Sequence, residues 1–219
     1  KRKFVSLRFG DVSGFSNGAF MAYTMACFLS NKVAAVAPVS GSLSPEDYDS
    51  CDPQRPMPVI HVHGLDDSWI PVQGGDYVTP LQLVSNYWSS FNSCSENIIV
   101  DGEDSNGDGY SWYSEIATSC QDGVSINFTY LENFGHSWPA SDSDKGGGAD
   151  IDGATFIWEF LSLYDTGGLI DYMFMRSICF PGIVSVWRIV WQGRLISCIQ
   201  IFKNQNFTHH QHYPLNRYH

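Results

Sequence analysis

A serine flanked by two glycines is the feature of this chain most able to do chemistry. Residues 14–18 read Gly-Phe-Ser-Asn-Gly, and an apolar pattern typical of a helix follows at residues 19–29. A Gly-x-Ser-x-Gly turn between a strand and a helix holds its serine strained and exposed, with the amide donors and positive dipole of the helix N-terminus beside the reacting oxygen. Ser16 is therefore a candidate nucleophile, although a loop between two glycines gives the same letters.

The two partners that a serine nucleophile needs follow it along the chain. The apolar run at residues 58–64 is typical of a buried strand, and Asp66 and Asp67 come directly after it. A second strand pattern at residues 124–131 precedes His136. Each partner alone is more typical of a turn or a helix cap. Together, in the order serine, acid, histidine, they predict a catalytic triad with either Asp66 or Asp67 as its acid.

This order predicts the fold as well as the chemistry. It is the order of α/β hydrolases, and it differs from the orders in chymotrypsin and subtilisin. All three side chains follow predicted strands, at the sheet edge where ligands bind in open α/β folds. We expect three layers and a partial parallel sheet, the C-terminal half of the full one, with an exposed edge strand near residues 9–13. The other expected strands lie near 33–39, 57–62 and 124–131, and the helices near 18–30, 79–92 and 151–164.

Several segments together resemble the polyhydroxybutyrate depolymerase and feruloyl esterase family of the α/β-hydrolase superfamily. The resemblance covers roughly residues 12–164, and its most specific element is the Gly-His-Ser-Trp-Pro block at residues 135–139. The family pattern His-Gly-x-x-Asp-x-x-x-Pro falls on residues 63–71 and selects Asp67 over Asp66 as the triad acid. Further matching segments lie at residues 14–18, 34–41, 60–64 and 150–160.

The resemblance implies a secreted serine esterase that acts on polyhydroxyalkanoates or on feruloyl or acetyl sugar esters. In such an enzyme Ser16 attacks the ester carbonyl, His136 takes and returns the proton, and Asp67 orients the imidazole. The backbone N–H of Asn17, the residue after the nucleophile, is the expected oxyanion donor. We expect no cofactor, and the expected partner is an ester substrate, polymeric or derived from plant cell walls.

Two tryptophans lie beside the expected catalytic positions. Trp69 follows Asp67 by two residues, and Trp138 follows His136 by two. Both are expected either to line an aromatic substrate cleft or to pack in the core, and the sequence leaves these alternatives open.

Both ends of the chain depart from the family. Only 15 residues precede Ser16 and the first residue is lysine, so we expect an N-terminally truncated fragment without the loop that carries the second oxyanion donor. Residues 1–10 are not expected to be the family's native strand, residues 11–165 are the expected catalytic domain, and residues 166–219 resemble no family segment. An inactive fragment with the hydrolase fold and a serine peptidase on the same scaffold therefore remain alternatives.

Charge also divides the chain. Residues 1–165 carry 7 Lys and Arg against 22 Asp and Glu, whereas residues 166–219 carry 5 against 1. The acidic balance argues against nucleic acid as a partner, because its phosphates would be repelled.

The run at residues 169–191 is too polar to span a membrane. The histidines near residues 209–212 are expected in an unstructured terminus.

Among the cysteines, Cys94 and Cys120 lie where members of the family often carry a disulfide, so the resemblance implies a bridge between them. Cys27, in the helix after the candidate nucleophile, is expected to be a buried thiol. The partner of Cys51 stays open.

Two patterns suggest metal binding, but we favour other interpretations. Asp104, Asn106, Asp108 and Glu115 fit the twelve-residue calcium-loop pattern. No amphipathic helices flank them, however, and a polar hairpin loop gives the same letters. His61 and His63 share one face of a predicted strand, and packing is favoured because the family carries the same residues without metal.

Overall fold

A computed structural model of the chain describes residues 10–102, 104, 107, 109, 111–140, 150–170, 189–191 and 194–196. The chain divides into two compact units, Lys1–Asp171 and Tyr172–His219. In the second unit the described residues form an antiparallel pair of strands, Ile189–Trp191 and Arg194–Ile196. The expectation for residues 209–212 lies outside the described residues, and so does most of the run at 169–191. Within the described part of the chain, none of the helices is long and apolar enough to cross a lipid bilayer.

The first unit is built on a sheet of six strands. In chain order they are β1 (Val12–Phe15), β2 (Val36–Val39), β3 (Val59–Gly64), β4 (Glu96–Asp101), β5 (Trp112–Thr118) and β6 (Ile126–Leu131). Their order across the sheet is β1-β2-β3-β6-β5-β4. Strands β1, β2, β3 and β6 run parallel to one another, whereas β5 pairs antiparallel with β6 and β4 antiparallel with β5. The α/β class is thus confirmed.

The sheet extends beyond the four parallel strands that the sequence predicts, because β5 and β4 add to it in antiparallel pairing. The connection between β4 and β5 spans only residues 102–111, and so short a connection joins antiparallel neighbours, because a parallel crossover needs a dozen or more residues. The expected edge strand near residues 9–13 is β1, which begins at Val12 instead and lies at one edge of the described sheet.

Helices cover both faces of the sheet. They are α1 (Asn17–Phe28), α2 (Pro45–Ser50), α3 (Leu81–Phe91) and α4 (Gly153–Leu161). Side chains alternate across a strand, so Val59 packs in the apolar cluster under α1 and α3, and Ile60 packs in the cluster under α4. Because both faces are covered, β2 and β3 are buried along their whole length, which explains why apolar residues occupy most of their positions.

The first unit continues past residue 165. Strands β7 (Tyr164–Asp165) and β8 (Gly168–Leu169) pair with each other, and Leu169 packs at the edge of the core cluster that includes α4. The N–H of Ile170 donates to the carbonyl of Leu163 at 2.8 Å. Residues 166–170 are therefore folded onto the same core as the strands that precede them.

Two disulfides fasten the helices of this unit. One joins Cys94 to Cys120, across 26 residues of chain, and the other joins Cys27 to Cys51, across 24. The expectation of a free thiol at Cys27 is therefore wrong: the residue is fully buried, but its sulfur is bonded to the residue that follows α2. Helical periodicity shows that Cys27 is buried, yet it carries no information about which loop returns to it.

Candidate active site

Ser16 lies at the sharp turn between β1 and α1. Its backbone has φ 55° and ψ −118°, a left-handed conformation that non-glycine residues rarely adopt. The Ser16 N–H donates to the carbonyl of Val39 at 2.9 Å, which ties the turn to the end of β2. A side chain that follows a parallel strand and opens a helix in this way projects at the C-terminal edge of the sheet, where ligands bind.

The two glycines of the turn have unequal roles. A Cβ on Gly14 would lie 2.3 Å from the carbonyl oxygen of Gly18, so no side chain fits there. At Gly18 a Cβ would meet nothing within 4 Å. The sequence did not single out Gly41, where a Cβ would lie 2.8 Å from the Ser16 carbonyl oxygen. The close approaches are thus at Gly14 and Gly41.

The loops after β3 and β6 are packed directly on each other. A Cβ on Gly64 would lie 2.1 Å from the carbonyl oxygen of Phe134, so only glycine allows the two loops to meet. The N–H of Asp66 donates to that same carbonyl at 3.0 Å, and the N–H of Leu65 donates to Leu131 at 2.9 Å. This contact brings Asp67, which follows Asp66, next to His136, which lies two residues after Phe134.

Three side chains from these turns form a continuous hydrogen-bonded series. His136 Nε2 lies 2.9 Å from Ser16 Oγ, and His136 Nδ1 lies 2.8 Å from Asp67 Oδ2. A carboxylate only accepts, so Nδ1 carries the hydrogen and Nε2 is left to accept from the serine hydroxyl. Asp66 is exposed, and Asp67 is the aspartate that meets the imidazole.

The Asp67 carboxylate is buried and surrounded by donors. Its Oδ1 accepts from the backbone N–H groups of Trp69, at 2.9 Å, and Ile70, at 2.8 Å. Its Oδ2 lies 2.8 Å from His136 Nδ1 and 3.3 Å from His63 Nε2. Burial raises the pKa of Asp67, but hydrogen bonds from His63, Ile70 and His136 outweigh it and lower the pKa to about 2. The group is therefore ionised at neutral pH.

A cavity of about 350 Å³ opens beside Ser16. Asn17, the first residue of α1, lines it together with Ser16. The other lining residues are Phe20, Ser44, Ile70 and Tyr77. No pattern in the sequence singles out these four, because they come from α1, the start of α2 and the loop after β3, which only the folded chain brings together.

The two tryptophans differ in their surroundings. Trp69 is 76% exposed, and its ring stacks beside the His136 ring with centroids 6.2 Å apart. Phe15 also contacts that imidazole, with ring centroids 4.9 Å apart. Trp138 is partly buried and packs against the core cluster that includes α4. The structure thus places Trp69 at the imidazole and Trp138 against the core.

The described residues of the two sequence patterns that suggested metal binding make contacts within the protein instead. Asp104 accepts from the N–H groups of Gly107, at 2.7 Å, and Gly109, at 3.0 Å, as in a closed polar loop. Glu115 lies on β5, while Asn106 and Asp108 fall outside the described residues. His61 and His63 are buried and their rings are hydrogen-bonded to each other. Among the residues that the structure describes, no group of three or more His, Cys, Asp or Glu could hold a metal ion.

Comparison with known proteins points to esterases. The chain is 32% identical over 164 residues to a bifunctional acetylxylan esterase/xylanase of Neocallimastix patriciarum, a match that covers 73% of this chain and 21% of that protein. It is 26% identical over 136 residues to feruloyl esterase B of Piromyces equi, covering 57% and 24%. The chain thus spans less than a quarter of either relative. No family model matches it.

These similarities support an esterase relationship at modest identity. They agree with the feruloyl esterase part of the resemblance seen in the sequence. Neither relative is named a depolymerase, and that part of the resemblance stays a prediction.

The unequal glycines predict unequal effects of the same substitution. Gly14→Ala forces a methyl group into the Gly18 carbonyl, so it should lower the free energy of unfolding by about 2 kcal/mol or more. Gly18→Ala enters open space within α1 and should change it by less than about 1 kcal/mol, in either direction. Urea unfolding of both variants measures the difference. Equal losses at the two positions would contradict the assigned packing.

The low pKa of Asp67 predicts a dependence of stability on pH. A carboxyl whose pKa is depressed in the folded state stabilises the protein above its unfolded pKa of 3.8, and this contribution is lost as the pH falls towards about 2. The lost contribution should be about 2 kcal/mol. Asp67→Asn cannot titrate, so its stability should fall less steeply than that of the wild type between about pH 4 and pH 2. Parallel curves from thermal unfolding would show that Asp67 titrates normally.

Proposed function

We propose that this chain is a serine carboxylic-ester hydrolase of the α/β-hydrolase type. The observation that carries the proposal is the continuous series from Ser16 Oγ through the His136 imidazole to the Asp67 carboxylate. The strained backbone of Ser16 and the esterase relatives support it from independent directions.

The reaction would proceed through an acyl-enzyme. Ser16 Oγ attacks the ester carbonyl while His136 Nε2 takes its proton. The imidazolium formed in this step returns the proton to the leaving alcohol, and Asp67 stabilises the cation through Nδ1. Water then repeats the sequence on the acyl-enzyme, with His136 as the base, and releases the acid and free Ser16.

The oxyanion of each tetrahedral intermediate would be stabilised at the start of α1. We assign one donor, the backbone N–H of Asn17, because Asn17 follows the nucleophile and is the first residue of α1, where an N–H has no acceptor one turn earlier in the helix. The positive end of the helix dipole favours the developing negative charge at the same place.

The surroundings of Ser16 favour an ester with an apolar or aromatic part. Phe20, Ile70 and Tyr77 line the cavity, and Trp69 exposes its ring beside His136. Because the relatives are named for acetylxylan and feruloyl esters, we propose acyl esters of plant cell-wall polysaccharides as the substrate class. Polyhydroxyalkanoates are the alternative ester.

We also propose that the protein acts outside the cell. The Cys27–Cys51 and Cys94–Cys120 bridges support this location, because disulfides persist in oxidising compartments and are rare in the cytosol.

Loss of Ser16 should abolish ester hydrolysis. With a 4-nitrophenyl ester, Ser16→Ala and His136→Ala should each lower kcat by about 10³-fold or more, and the double variant should lose little further, because the two groups act as a unit. Ser13→Ala is the matched control, since the Ser13 hydroxyl donates to the Ala37 carbonyl in the sheet and should leave kcat within about threefold.

Three further assays separate the alternative functions and substrates. A fluorophosphonate should phosphonylate Ser16 Oγ with loss of fluoride, so that the wild type gains the mass of the phosphonyl group and Ser16→Ala does not. An unlabelled, inactive wild type would favour a non-catalytic protein with this fold. Cleavage of peptide 4-nitroanilides faster than the matching esters would favour a peptidase. Release of acetate or ferulate from xylan, measured against release of hydroxybutyrate from its polymer, decides between the substrate classes.

A further inference from the structure

A buried row of polar side chains lies behind Asp67 and is not used by the triad. Tyr23 of α1 and His61 and His63 of β3 are each at most 1% exposed. The Tyr23 hydroxyl lies 2.8 Å from His61 Nδ1, and His61 Nε2 lies 3.0 Å from His63 Nδ1. His63 Nε2 then lies 2.8 Å from the carbonyl oxygen of Ile70 and 3.3 Å from Asp67 Oδ2. The row therefore ends on the carboxylate that orients His136.

When both imidazoles are neutral, one backbone group sets the direction of every hydrogen bond in this row. The Ile70 carbonyl can only accept, so His63 Nε2 must carry a hydrogen, and a neutral His63 then accepts at Nδ1. His61 must donate to it from Nε2 and accept at its own Nδ1, and the Tyr23 hydroxyl supplies that last hydrogen. Each nitrogen in the row then has one role, as donor or as acceptor, and His63 Nε2 faces both the Ile70 carbonyl and Asp67 Oδ2.

The surroundings of His61 and Tyr23 keep these two groups uncharged. Burial, and then the neighbouring His63, lower the pKa of His61 well below its ordinary value. Burial, and then Tyr130, raise the pKa of Tyr23 well above its ordinary value. Aromatic rings pack against His61, with Tyr23 at 5.8 Å and Phe128 at 4.9 Å between centroids. The row is thus a buried, hydrogen-bonded support inside the core.

We propose that His63 is a positioning residue for the Asp67 carboxylate, holding Oδ2 in line with His136 Nδ1 from the rigid side of the site. This inference rests on the proposed function. His63 belongs to the buried strand β3, whereas His136 and the N–H donors to Oδ1 belong to loops. His63 also binds the Ile70 carbonyl, so one imidazole fixes both the carboxylate and the loop that carries it.

Two substitutions at the same position separate this role from packing alone. Glutamine places its amide N–H₂ close to where His63 Nε2 lies, so His63→Gln keeps the donor to Asp67. Asparagine reaches only the position of Nδ1, so His63→Asn loses that donor while it remains polar. Val84→Ala is the control for stability, because Val84 is fully buried in the core and lies outside the row.

The kinetic readout is kcat for a 4-nitrophenyl ester. A hydrogen bond to a charged group corresponds to about 10-fold or more in rate, so His63→Asn should lower kcat by at least about 10-fold with KM little changed. His63→Gln and Val84→Ala should both stay within about threefold of the wild type. Equal loss of kcat in His63→Gln and His63→Asn would overturn the proposal.

A second readout does not need activity. The pKa of Asp67, followed through its ¹³Cγ chemical shift, should rise by about one unit in His63→Asn and should stay near the wild-type value in His63→Gln and Val84→Ala. An unchanged pKa in folded His63→Asn would overturn the positioning role. If His63→Asn shows this rise in the pKa of Asp67 while the wild type hydrolyses no ester, the proposed function is refuted and the positioning of Asp67 is supported.

Discussion

The structure of the site depends on the contact between two loops at Gly64. The chain leaves β3 there and touches the backbone of Phe134 so closely that a methyl group cannot fit between them. Asp67 and His136 are 69 residues apart in sequence, and each lies within a few residues of this contact. The nucleophile is brought to the same edge by a separate device, since Ser16 is tied through its N–H to the end of β2. Parallel pairing of β1, β2, β3 and β6 makes these turns neighbours.

Electrostatics then determine which groups are charged inside this arrangement. A buried carboxylate is costly unless it is well hydrogen-bonded, and Asp67 meets four donors, two from backbone and two from imidazoles. Burial, and then the neighbouring His63, keep His61 neutral instead, and its ring packs against Phe128. The same strand thus presents a neutral imidazole at His61 and, just beyond its end, a stable anion.

Local chemistry made part of this site predictable. Ser16 and the helix that follows it can be predicted from the sequence, because a strained turn at a nucleophile needs particular residue types on either side. Asp67 and His136 were placed because each follows a strand pattern in the expected order. The main strands and helices were predicted within a few residues of their observed ends, since burial on both faces leaves continuous apolar runs. The sequence does not predict strand β5 or its antiparallel pairing, because Trp112–Thr118 is only partly buried and its hydrophobic pattern is weak. Gly64, Tyr77 and the pairing of Cys27 with Cys51 depend on contacts between distant segments, which no local pattern encodes.

The bridge between Cys27 and Cys51 has a practical consequence for how the protein is produced. Cys27 belongs to the helix that begins directly after Ser16, so the covalent link lies in the element that shapes the nucleophile's turn. Material made in a reducing cytoplasm, or stored with a thiol reductant, lacks this link and is a chemically different molecule from the oxidised protein. Low activity in such a preparation should first be attributed to the missing disulfide and only then to the catalytic groups. Counting free thiols is therefore the first quality check that any batch of this protein requires.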